Sequence, residues 1–224
     1  MGLAHSPRIV TDGLYFYVDF GNTKSYTNGA STVYDISSKR YSGSIVDSPT
    51  FSSDNGGYLH FDGTDDFVDF KSNQGGPDMS LSTITASAWV NFDSASWVMG
   101  NGHQFRIRLD ATKVGFWIRE LESGSTNEVQ SSTSTMSTGE WGNIVGTYDG
   151  TNQKVYHNGV EVATATPGLG LLDEGQAGLH LARAYNGANL FFDGKLSVAS
   201  IYNRALTAAE IKQNFNALRG RYGI

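Results

Sequence analysis

Cysteine is absent from the 224-residue chain, which removes disulfides, thiolate metal sites and cysteine nucleophiles together. Assembly in a reducing compartment, or indifference to redox state, is the expectation. Proline is scarce, with 4 residues against 27 glycines, a balance that suits many tight turns. A basic surplus is missing too: the net charge is −6 and the Lys and Arg residues are scattered, so no nucleic-acid partner is expected. That charge points instead to protein or neutral glycan partners. No run approaches the roughly 20 apolar residues of a membrane span, and Met1 to Arg8 carries no apolar signal core, so neither membrane insertion nor Sec export is expected. There is no G-x-S-x-G elbow and no phosphate-binding loop. His5, His60, His103, His157 and His180 stand singly, without the i, i+2 or i, i+4 pairs that favour zinc.

What is present is strand pattern. Hydrophobic content of 39%, with 12% aromatic, is enough for a sizeable core, and one all-β domain of about 200 to 250 residues is ordinary. Residues 58–61 and 67–70 alternate on either side of Asp62-Gly63, which tolerates a turn. Residues 14–20 form a continuous apolar and aromatic run, the mark of a strand buried on both faces or lying at the sheet centre. Along 82–92, Ile84, Ala86, Ala88, Val90 and Phe92 share one face. Segments 104–109 and 114–121 are predicted to pair across residues 110–113. Asn158-Gly159 is the strongest hairpin signal, because a type I′ turn needs positive φ at both central residues. The Ser/Thr-rich stretch 123–139 is a linker by composition, or a polar edge strand near 127–131 followed by a loop. Near the C-terminus Thr207 and Glu210 form a capping box, and Ile211, Phe215 and Leu218 fall at i, i+4 and i+7. Gly220 is predicted to end this helix in a left-handed cap. That leaves Arg219, Arg221 and Tyr222 in a tail, read either as a protein-docking element or as a frayed end. The predicted fold class is therefore all-β, a two-sheet antiparallel sandwich with a short C-terminal amphipathic helix. It is read as one domain over 1–224, with its core at about 13–206 and helix and tail at 207–224.

Several blocks resemble a known family. Asn55-Gly56-Gly57-Tyr58-Leu59-His60-Phe61-Asp62-Gly63-Thr64-Asp65-Asp66-Phe67-Val68 is similar to a string that opens the laminin-G-like, concanavalin-A-like jelly rolls. Tyr34-Asp35-Ile36-Ser37, Ile84 to Val90, Trp141 to Gly150, Val155 to Gly159, Phe192 to Leu196 and Ile201 to Ile211 match further blocks in order. Pro7 to Leu14, Tyr17-Val18-Asp19 and Asn22 to Tyr26, with the ending Asn216 to Ile224, narrow the likeness to stand-alone virion proteins of tailed bacteriophages. The resemblance implies a jelly roll and a non-enzymatic virion structural protein: a capsid decoration, neck or tail-fibre component, assembled in the host cytoplasm. Its implied partners are other virion proteins, host-surface glycans and further copies of itself. A dedicated carbohydrate-binding lectin and a glycan depolymerase are the alternatives. Ser197-Val198 departs from the family form, where an acidic residue often stands, which leaves an ion site there in doubt.

Laminarinase-like relatives carry E-x-D-x-x-E, and retaining hydrolysis needs two carboxylates about 5 to 5.5 Å apart. This chain has no such string, and its nearest approach, Glu120-Leu121-Glu122, reads as two solvated charges. Sandwich lectins of the superfamily often hold calcium, which makes Asp62, Asp65 and Asp66, with Asp69 nearby, candidate Ca²⁺ ligands. Turn chemistry explains Asp62-Gly63 equally well. Asp19 and Asp193 are open between ligand and strand-end cap. No other cofactor is expected. Sugar binding calls for an exposed aromatic beside amides and charged groups. Trp97, Asn101, His103 and Arg106 form one candidate group, and Arg183, Tyr185, Asn186 and Asn189 another. Each of these aromatics also fits a role in the core, as Trp89 and Trp141 are expected to do.

Overall fold

The computed structural model describes residues 7–70, 76–77, 81–101, 104–110, 112–120, 124–132, 135–169, 172, 178–183 and 190–224. Its strands are, in chain order, β1 (Leu14–Asp19), β2 (Thr32–Tyr34), β3 (Ser42–Val46), β4 (Thr50–Ser52), β5 (Tyr58–Asp62), β6 (Phe67–Phe70), β7 (Ile84–Phe92) and β8 (Ser96–Asn101). They continue as β9 (Phe105–Asp110), β10 (Lys113–Arg119), β11 (Thr126–Gln130), β12 (Trp141–Tyr148), β13 (Gln153–His157), β14 (Val160–Ala165), β15 (Leu179–Leu181) and β16 (Asp193–Tyr202). One helix, α1 (Ala208–Leu218), follows the last strand. No helix among the described residues is long and apolar enough to cross a membrane.

The strands form two antiparallel sheets. The first runs β14-β13-β12-β7-β16-β5-β4, with β1 also on β16; the second runs β11-β10-β9-β8-β15-β6-β3-β2. Their inner faces bury the alternate apolar residues that period-2 geometry places there. In the second sheet one such row is Val129, Phe116, Ile107, Met99, Leu181 and Val68, paired strand by strand and buried. Facing it, β7 contributes Ile84, Ala86, Ala88, Val90 and Phe92, all fully buried. The outer face of β7 is covered as well, because α1 and the residues after it lie on it: Trp89 stacks on Phe215 at 5.6 Å and on Tyr222 at 4.2 Å.

Local chemistry accounts for the joints. Asn158 and Gly159 have φ of 52° and 75°, the turn that joins β13 to β14. The Ser/Thr-rich stretch supplies β11, which pairs with β10 at the end of the second sheet. The turn at Asp62-Gly63 does not make a hairpin. It passes the chain from β5 in the first sheet to β6 in the second, where the two strands pair with other partners. Asp66 holds that corner, its carboxylate accepting the Ser48 N–H at 2.9 Å and the Asp62 N–H at 3.4 Å.

The C-terminus differs from expectation. The Thr207–Glu210 capping box is present, but Gly220 takes no left-handed cap. Arg219 caps α1 in the right-handed region, a 3-10 turn continues over Arg219–Arg221, and the positive φ falls at Gly223. The tail is neither frayed nor projecting. The Arg221 guanidinium donates to both Asp19 oxygens at 2.8 and 3.0 Å and to the Gly56 carbonyl. Tyr222 is buried against Trp89 and Trp141 and donates its hydroxyl to Ser197 Oγ at 2.9 Å. These bonds correct the reading of Arg221 and Tyr222 as a docking element, since the surface they fit is the sandwich itself. Arg219 alone stays exposed, its guanidinium 5.9 Å from the Phe215 ring.

Candidate functional site

The outward face of the second sheet carries a row of polar and aromatic side chains. Strand register sets one row across all eight strands: Glu128, Trp117, Arg106, Gly100, His180, Asp69, Ser44 and Thr32. Each alternates with a buried neighbour, so these positions face away from the core. At the β8–β11 end the row becomes a ladder of stacked cations and rings. The Arg106 guanidinium lies 4.3 Å from the Trp117 ring centroid and 5.3 Å from that of Trp97, and Arg108 lies 5.3 Å from Trp97 on its own account. Such contacts contribute about 0.5–1 kcal/mol each at exposed sites. Arg108 also meets Glu128 at 3.4 Å and Asp110 at 3.5 Å.

Gly100 explains how Arg106 comes to lie flat. A Cβ at residue 100 would fall 2.8 Å from Arg106 Cγ and 2.6 Å from the Phe105 carbonyl oxygen, so the missing side chain leaves room for the arginine stem. Burial, and then the nearby Arg119, push the Arg106 pKa below its ordinary value, while Glu128 works the other way. Beside the ladder a cleft of about 310 Å³ opens, lined by Trp97, Arg108, Ser96, Phe191, Asp62 and Asp193.

Of the first glycan group, Trp97 and Arg106 come together as expected. Asn101 does not: it follows Gly100 on the strand, faces the opposite way and is fully buried. His103 lies outside the described residues. Of the second group, Arg183 packs its guanidinium 4.5 Å from the Phe67 ring and 5.2 Å from Phe191, while Tyr185, Asn186 and Asn189 lie outside the described residues. Trp117, Arg108 and Glu128 were missed. Their signal was legible, because the alternation that buries Val114, Phe116 and Ile118 must turn Trp117 outward.

The acidic candidates divide. Asp62, Asp65 and Asp66 each place an oxygen within 4.8 Å of the others. The Asp65 and Asp66 pKa values are raised, by desolvation first and then by neighbouring carboxylates. Two of the three are already bonded to backbone, Asp62 accepting the Thr64 N–H at 2.8 Å and Asp66 those of Ser48 and Asp62. Asp69 stands apart, 3.5 Å from His180. Asp19 is taken up by Arg221. Asp193 joins Asp93 and His60 in a second cluster, with His60 Nε2 3.4 Å from Asp93; no local spacing reveals it, since the three come from separate strands and a loop. Burial lowers the His157 pKa. Ser197 is buried and donates to the Gly57 carbonyl at 2.6 Å.

A laminin-G-type family model, described as the concanavalin A-like lectin/glucanases superfamily, matches residues 62–212. The chain belongs to this superfamily. No curated protein matches the chain in sequence. Among solved structures, the binding domain of Paraclostridial Mosquitocidal Protein 1 is similar, with a TM-score of 0.72 and 14% identity over 92% of this chain and 52% of that one. The binding domain of botulinum neurotoxin serotype G follows, with a TM-score of 0.68 and 10% identity over 90% and 50%. The chain thus spans about half the length of each. At such identities the likeness concerns the fold: this superfamily member is a two-sheet jelly roll.

Proposed function

We propose that this jelly roll is a non-catalytic glycan-binding protein of a tailed-phage virion, docked on other virion proteins and reading host-surface polysaccharide. The observation that carries the binding half is the outward ladder of Trp117, Arg106, Trp97 and Arg108. A sheet face of half-buried tryptophans and arginines suits a ligand rich in hydroxyl and acidic groups better than it suits solvent. The non-catalytic half is supported by the carboxylates of that face. Asp110 and Glu128 are both ion-paired to Arg108. The two solved structures described above are binding domains of their own proteins. The virion half rests on the likeness of the two chain ends to phage proteins.

The test pairs a glycan array with incubation of the protein on isolated host polysaccharide, and adds labelling of purified particles with an antibody to the chain. Binding without release of reducing ends, together with labelled virions, is the expected outcome. Released reducing sugars would overturn the non-catalytic half, a blank array the glycan half, and unlabelled particles the virion half.

A further inference from the structure

We infer that the ladder face selects acidic glycans, with Arg106 as the residue that receives a sugar carboxylate. The inference rests on the glycan-binding reading above and deepens it. The net charge of −6 pointed to neutral glycans, which a sandwich ordinarily holds by stacking a sugar ring on a bare aromatic face. Here the aromatic faces are already covered. Arg106 lies over Trp117 and reaches Trp97, and Arg108 reaches Trp97 as well. What the face offers a ligand is therefore the edge of a stacked guanidinium, whose planar N–H fork matches a carboxylate in two-point contact.

Four further observations agree. Arg106 is held in place before any ligand arrives, by the room that Gly100 leaves under its stem and by the Trp117 wall, so little side-chain freedom remains to be lost on binding. Three cations, Arg106, Arg108 and Arg119, alternate outward on β9 and β10, and of these Arg108 is the one that Asp110 and Glu128 pair with. Arg119 acts on Arg106 as a like charge at a partly buried position, a repulsion that a bound anion relieves. All three cations are arginines, the side chain suited to planar recognition of a carboxylate.

The experiment uses the full chain against four immobilised polymers: polygalacturonate, polysialate, carboxyl-reduced polygalacturonate and the neutral glucan laminarin. Binding to one or both carboxylated polymers, at least about tenfold tighter than to the reduced polymer or laminarin, is the expected result for a charge-assisted contact. Which of the two binds separates a uronate source from a sialate source. Arg106→Gln is expected to lose about tenfold in affinity, with a melting temperature lowered by a few degrees at most because only its ring contacts are removed, and Arg106→Lys, which keeps the charge but not the fork, to recover only part of it. If Arg106→Gln fails to fold, Arg106→Lys alone carries the test, and undiminished affinity there overturns the role of Arg106. Equal binding to the reduced polymer or laminarin overturns acid selection and leaves the glycan reading intact. Binding to none of the four overturns the inference, and the reading beneath it falls only if the glycan array is blank too.

Discussion

Glu210 has three partners within hydrogen-bond reach. Its carboxylate receives the Arg204 guanidinium at 2.6 and 3.0 Å and the Thr207 N–H at 2.8 Å, while the Glu210 N–H donates to Thr207 Oγ1. Arg204 is the main cause that holds its pKa at about 2 against an ordinary 4.5. The folded value lies below the unfolded one, so this contribution to stability is fully present above pH 4.5 and is lost as pH falls toward 2. Acid unfolding of Glu210→Gln is therefore expected to show a shallower loss of stability across that window than the unsubstituted chain. Parallel titrations of melting temperature against pH check it, and identical profiles would remove Glu210 from the account. The capping pair was legible because both partners lie within one turn; Arg204, six residues upstream, was not, since no helical spacing relates it to Glu210.

At the scale of elements, α1 and the turn after it act as a clasp on the first sheet. Arg221 ties the end of β1 to the turn before β5 through Asp19 and Gly56, and Tyr222 covers Trp89 and reaches the Ser197 bulge of β16. Removing residues 219–224 leaves Asp19, only 9% exposed, without its guanidinium partner and uncovers Trp89 and Trp141. The cost is about 3 kcal/mol or more, which lowers the melting temperature by roughly 6–12 °C in a chain of this size. Calorimetry of the truncated chain, with tryptophan emission shifting to the red, is the measurement. An unchanged melting temperature would show that the tail is dispensable. The sequence reading failed here for a physical reason: glycine after a helix is the usual stop signal, and the partners that override it, Asp19 and Trp89, are distant in sequence.

At the scale of the whole molecule, one core lies between the two sheets, and strands from both ends of the chain meet in it. β1 and β16 are neighbours, and β16 also carries β5 and β7. Strands so interleaved have no local unit to unfold first, and the expected outcome is a single cooperative transition. Asp62 and Asp66 satisfy the corner with backbone N–H groups, so the transition is expected not to move when a chelator is added. A fall on chelation, reversed by calcium, would assign Asp62, Asp65 and Asp66 to a bound cation.

The sequence by itself determined β1, β5, β6, β7, β9, β10 and β11, the hairpin at Asn158-Gly159, the helix start at Thr207 and the inward face of β7, because period-2 alternation, positive-φ turn residues and capping boxes act within a few residues. It also placed Trp97 and Arg106 in one group. The tertiary structure alone decided that Asp62-Gly63 switches sheets, that Asn101 turns inward, that Arg221 and Tyr222 fold back on the sandwich, and that one row of side chains runs from Thr32 to Glu128. Those outcomes depend on which strands pair and in what register, and register is set by burying one face of every strand at once, a condition that no single stretch of sequence contains.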